Sequence, residues 1–153
     1  MEKEKRTLKF SEIFGFGAGG MFTYGFQLMI TGYYLLYYMT DIAGFSTVLA
    51  ASLYSTIQII KMVTMLFSGV IIDAINFRSG KYRTWVLVSG IGLGLFFPLS
   101  FFYYPLPQSV YVVVFMIIYT LQTLFYNVGW TAMRAVIGKV AKNKADVVAL
   151  NTS

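Results

Sequence analysis

Ser55–Trp85 reads STIQIIKMVTMLFSGVIIDAINFRSGKYRTW, and the fold turns on this stretch. Its first half is an apolar run long enough for a helix that crosses a bilayer, and its second half is a short loop dense in charge. Lys61 sits inside the apolar half, where an ammonium costs about 2.5–3.5 kcal/mol on insertion scales. Ser55, Gln58, Lys61, Thr64 and Ser68 follow one another at helical spacing and share one face. Two readings of Lys61 are open: a lysine that snorkels or serves packing alone, or a cation facing a partner or a wet cavity. Its position more than two turns from either helix end weighs toward the second.

The rest of the chain fits a membrane setting. Apolar residues make up 58% and charged residues 12%, against roughly 45–50% and 25% in soluble domains. There is no cysteine and no histidine, which removes disulfides, thiolate metal sites and the commonest general base. Hydrolase and metalloenzyme readings are therefore weak, and no cofactor or metal is expected. The net charge of +6 forms no basic stripe on a soluble face, so nucleic acid is not an expected partner.

Outward from Lys61, four apolar segments alternate with polar flanks. Residues 1–12 (from MEKEKRTLKF onward) read as a cytoplasmic tail, since the run that follows is too long for a signal-peptide core. The first span is expected over 13–39, with Gly15, Gly17, Gly19, Gly20 and Gly25 allowing close helix approach. In it Thr23, Gln27 and Thr31 share a face, which suits either helix packing or a cavity wall. Tyr33, Tyr34, Tyr37 and Tyr38 gather at its far end like an interfacial aromatic belt. The second span is expected over 47–72 and the charged loop over 73–83, with Gly80 as its turn residue.

The third span is expected over 84–104, with Pro98 as a kink, and the fourth over 109–136. In the fourth, Tyr119, Gln122 and Tyr126 share one face and Asn127, Thr131 and Arg134 another. Trp130 suits either an interface anchor or a platform for a ligand ring. Residues 137–153 read as a further cytoplasmic loop at which the chain is cut short. Lys and Arg occupy the first, third and fifth flanks and are absent from TDIAGFS and YPLPQS. The positive-inside rule then gives a multi-pass plasma-membrane protein, N-terminus cytoplasmic, all-α with four transmembrane helices in the lipid bilayer.

The loop after the second span also carries a resemblance. Gly69, Asp73, Arg78, Gly80, Lys81, Arg83, Thr84 and Trp85 resemble the loop of the glycoside–pentoside–hexuronide:cation symporter family, within the major facilitator superfamily. Thr84 stands where that family usually has proline. Phe14-Gly15-Phe16-Gly17, Tyr37 to Gly44 and Asn127-Val128-Gly129-Trp130 are similar to its first- and fourth-helix motifs. The resemblance implies the N-terminal part of a six-helix half, in a transporter of about twelve helices with the substrate between halves.

It also implies roles. Thr23, Gln27, Gln122, Tyr126, Asn127 and Trp130 become candidates for binding a sugar or glycoside, and Gln58, Lys61, Thr64 and Met65 occupy the coupling-cation position. Asp73, Arg78, Gly80, Lys81 and Arg83 become a cytoplasmic latch, the alternative being that the cations only enforce topology. The family's two second-helix aspartates fall on Lys61 and Met65, which argues against sodium coupling and leaves proton coupling or facilitated diffusion. The first-helix acid falls on Phe22, after Met21, and the fourth-helix acid on Asn127. Lys61 and Arg134 allow an anionic substrate such as a uronide. The expectation is transport by alternating access. A competing reading is a small four-helix membrane assembly or scaffold protein without transport, which would need an acidic partner for Lys61. A membrane enzyme ranks third, for want of acid–base groups.

Overall fold

A computed structural model describes residues 8–20, 24–75, 77, 80–140 and 144–151. Among them the regular structure is entirely helical. Helix α1 is Phe10–Gly20 and α2 spans residues 26–42. The long helices are α3 (Thr47–Ala74), α4 (Lys81–Ser100) and α5 (Gln108–Val140), and a short α6 (Lys144–Asn151) follows. Three helices are long and apolar enough to cross a membrane: Thr47–Ala74, Lys81–Ser100 and Gln108–Gly138. The second expected span thus runs on to Ala74, while the third ends at Ser100, four residues before its expected limit. Residues of the expected last loop continue α5 to Val140 and form α6.

The first expected span is less regular. α2 alternates α-helical Phe26–Met29 and Leu35–Tyr37 with wider π turns at Ile30–Tyr34 and Tyr38–Ile42. It ends on widened bonds, Ala43 N–H to the Tyr38 carbonyl at 2.8 Å and Phe45 N–H to Met39 at 2.9 Å. Such turns occur within otherwise α-helical segments and cluster at functional sites. Ser46 then caps α3, its hydroxyl accepting the Leu49 N–H at 3.3 Å. Before α4 the chain turns on Gly80 at φ 102°, in the left-handed region that costs glycine little.

The core lies in two clusters. Leu35, Tyr38, Met39, Phe45, Ile57 and Phe115 belong to the larger, which ties α2 and α3 to α5. Tyr38 is wholly buried, donates to the Phe102 carbonyl at 2.9 Å, and shares a 2.7 Å hydrogen bond with the Tyr111 hydroxyl. It is a core residue and not a belt residue, whereas Tyr33 is 86% exposed. The smaller cluster joins Ile72, Trp85, Val128 and Ala132. Between the two, α4 lies close along α5: a side chain at Gly92 would enter the Phe125 ring, and one at Gly129 the Tyr24 hydroxyl. Small residues permit this approach, and in lipid such contact is the main source of helix association.

Gly92→Leu is expected to force α4 off α5 and cost about 1–3 kcal/mol of stability. Gly90→Leu, two residues earlier, meets open space and is expected to cost nothing comparable. Unfolding titrations of both variants in mixed micelles check the contrast.

Candidate functional site

The polar residues of three helices meet halfway along α3. Gln27 and Thr31 of α2, Lys61 of α3, and Tyr119, Thr123 and Tyr126 of α5 line a cavity of about 10 Å³. That is the room a single water needs. The Lys61 ammonium lies 5.6 Å from the centre of the Tyr126 ring. An aromatic face attracts a cation, more so where the cation is desolvated. No cluster of three or more acidic or other metal-ligating side chains occurs among the described residues, and the Lys81–Asp73 salt bridge lies away from this cavity. The charge of Lys61 is thus met by a ring face and by amide and hydroxyl dipoles.

Asn127 fixes the wall beside this cavity. Its Nδ2 donates to the Lys61 carbonyl at 3.0 Å and to the Thr64 hydroxyl at 2.6 Å. Thr64 in turn sits 2.9 Å from the Ile60 carbonyl, so its own proton has an acceptor. One turn further, Ser68 and Thr131 share a hydrogen bond at 2.8 Å. α3 and α5 are therefore held in register by side chains over two successive turns.

The expected site residues divide. Gln27, Lys61 and Tyr126 come together at the cavity, and Thr64 and Asn127 brace it. Gln58 and Met65 are exposed and do not line the cavity. Gln122 turns away from the cavity toward α4, where its amide meets Ser100 Oγ at 2.5 Å. Ser100 also lies 2.8 Å from the Phe96 carbonyl and has one proton. With the Gln122 amide turned over, Nε2 donates to Ser100 and Ser100 to Phe96, which suits that proton count. Trp130 packs on Tyr24 at 5.4 Å and under the Arg134 guanidinium at 4.6 Å. Thr23 and Arg78 lie outside the described residues, as do Met21 and Phe22. Thr123 was not singled out from the sequence. Its signal was its place four residues after Tyr119 and three before Tyr126, on the cavity side of α5.

At the end of α3, Asp73 accepts from the Lys81 ammonium at 2.6 Å. Lys81 also lies 5.9 Å from the Tyr82 ring, and Gly80 provides the turn between the two helices. Arg83 is exposed beyond this pair.

The family described as MFS/sugar transport protein matches residues 15–153. The chain belongs to this family. It is 29% identical over 126 residues to the putative glycoside/cation symporter YagG of Escherichia coli K12, covering 80% of this chain and 27% of that protein. The inner membrane symporter YicJ of the same organism is 26% identical, over 68% of this chain and 23% of that protein. Its glucuronide carrier protein homolog is 28% identical, over 61% of this chain and 20% of that protein. The chain thus spans about a quarter of the length of these curated relatives. The relatives are symporters and carriers, not enzymes, and they match the symporter resemblance of the loop and helix motifs. No solved structure matches the chain significantly. An apolar, helical member of this family is a multi-pass membrane protein.

Asn127→Ala is expected to leave insertion intact and to cost about 1 kcal/mol of stability, the usual net worth of such hydrogen bonds. Asn127→Asp, which keeps an acceptor but loses both donors, is expected to cost more. Thermal unfolding in detergent checks the order.

Proposed function

We propose that this chain contributes four transmembrane helices, the fourth being the segment that contains α1 and α2, to a secondary active or facilitative transporter. Its substrate is a sugar, glycoside or uronide, moved by alternating access across the plasma membrane, with the N-terminus cytoplasmic. The observation that carries this reading is the Lys61 cavity, which gathers an ammonium, amide and hydroxyl groups and an aromatic face halfway along α3 in a sugar-transport family chain. Those are the groups that recognise a sugar ring and its hydroxyls, and an ammonium adds attraction for a carboxylate. A water-sized space admits no sugar, so the cavity is read as one wall of a larger substrate path. Gln27, Tyr126 and Asn127 are assigned to the substrate side, with Thr123 added. Gln122 and Trp130, engaged with Ser100 and Arg134, are assigned supporting roles.

Lys61 supplies a tethered cation where a coupling ion would sit. No carboxylate is among the cavity's lining residues, and hard cations bind through oxygen ligands with charge neutralisation. Transport is therefore read as independent of sodium, either facilitated or coupled to a proton.

The test is uptake of labelled glycosides and glucuronides by membranes holding the intact gene product. Uptake is expected to reach equilibrium in sodium-free buffer with the membrane potential collapsed, and Lys61→Met is expected to lower the rate roughly tenfold, the scale of one charge-assisted contact. Strict sodium dependence would overturn the tethered-cation reading.

The Asp73–Lys81 pair is assigned to a latch between α3 and α4. Asp73 is 74% exposed, so the pair adds less than about 1 kcal/mol to stability. Asp73→Asn is expected to leave topology and unfolding midpoint unchanged while lowering the transport rate. An unchanged rate in the same uptake assay would reduce the loop's cations to topology alone.

A further inference from the structure

Away from the Lys61 cavity, a cleft of about 780 Å³ opens between α1, α4 and α5. That size is within the range of ligand-binding clefts. Gly15 and Gly19 line it from α1, Gly90 and Ile91 from α4, and Met133 and Val136 from α5. A side chain built on Gly15, Gly19 or Gly90 would meet nothing within 4 Å, so the depth of the cleft comes from missing side chains. The lining is apolar along its length, with two polar exceptions. One is Tyr24, 3% exposed, whose hydroxyl has no hydrogen-bond partner among the described residues. The other is Arg83, in the first turn of α4.

Among the described residues, nothing engages Arg83. Lys81 is paired with Asp73, and the Arg134 guanidinium is stacked on Trp130. Arg83 forms no ion pair, hydrogen bond or ring contact among the described residues. An occupant complementary to this cleft is apolar over most of its length and anionic at one end. A soluble anion would leave the apolar walls uncovered, and an uncharged apolar helix would make no use of the exposed guanidinium.

We propose that this cleft binds one anionic phospholipid, its phosphate on Arg83 and an acyl chain along Gly90 and Ile91. The site is at the membrane face that carries the basic loops. Basic pockets between transmembrane helices on that side are where anionic headgroups are held. The bound lipid covers the glycine-walled side of α1. The site is separate from the Lys61 cavity, so it stands or falls independently of the transport reading.

The test is native mass spectrometry of the intact gene product taken from mixed phosphatidylglycerol–phosphatidylethanolamine membranes. Phosphatidylglycerol is expected to stay bound in preference. Arg83→Gln is expected to lower its retention roughly fivefold, the worth of one cation near an anionic surface, without changing phosphatidylethanolamine retention. Gly90→Leu, which fills the cleft without displacing a neighbour, is expected to lower retention of both lipids. Retention unaltered by both variants would overturn the proposal. So would a cross-link from Ile91→Cys to another segment of the same protein in its native membrane, which would make protein the occupant. Unfolding midpoints of the two variants, expected to match the parent, separate loss of the lipid from loss of the fold.

Discussion

The side chain of Asn127 holds α3 against α5 halfway along α3, through the Lys61 carbonyl and the Thr64 hydroxyl. In hydrocarbon no water competes for these groups, yet such interhelical bonds are worth only about 0.6–1.7 kcal/mol, because the separated helices also find partners. The contact matters more for register than for energy. Once Asn127 is seated, Thr131 falls opposite Ser68 one turn on, and the Tyr126 ring comes to face the Lys61 ammonium. A slip by one residue on either helix would separate all three contacts together. The Lys61 position is thus determined twice, by its ammonium over the ring and by its own carbonyl.

Packing does the rest of the work of association, and it is strongest where side chains are smallest. Gly92 against Phe125 and Gly129 against Tyr24 and Ser89 bring backbones closer than any larger residue would allow. Close approach multiplies dispersion contacts, which are individually small and collectively large. Glycine also leaves space where no neighbour fills it, as at Gly90 and Gly15. The same residue type therefore makes the tight α4–α5 contact and the open cleft beside it, and only the facing side chain decides which.

The long helices were legible in the sequence because length and absence of charge are local properties. Apolar runs gave expected helices over 47–72 and 109–136, and the helices found, Thr47–Ala74 and Gln108–Val140, run beyond both, while spacing put Lys61 and Thr64 on one face. What periodicity could not supply was the identity of the neighbour on each face. Gln122 and Thr123 are adjacent and flank the line joining Tyr119 to Tyr126, so the pattern allowed either to face the cavity. Ser100, a distant residue on α4, drew Gln122 away. Tyr38 looked like its belt neighbours because composition alone does not tell a buried tyrosine from an interfacial one. Its partners Phe102 and Tyr111 come from segments 64 and 73 residues later. The π turns of α2 left no mark in composition either, since they depend on hydrogen-bond register rather than residue type.

Those turns give the cavity unequal walls. α3 runs unbroken from Thr47 to Ala74 with no proline, and α5 continues without a break through Tyr119, Thr123 and Tyr126. α2, which supplies Gln27 and Thr31, changes hydrogen-bond register within a few residues of both. A regular helix resists local displacement because moving one residue disturbs several backbone bonds. A helix already carrying wide turns has backbone groups that shift between partners at lower cost. The groups facing Lys61 therefore differ in setting: Tyr126 and Thr123 lie on a regular helix braced at Asn127, while Gln27 and Thr31 lie on the one with π turns. Under the proposed transport cycle that difference matters, since a cavity with only rigid walls would hold one water and nothing larger.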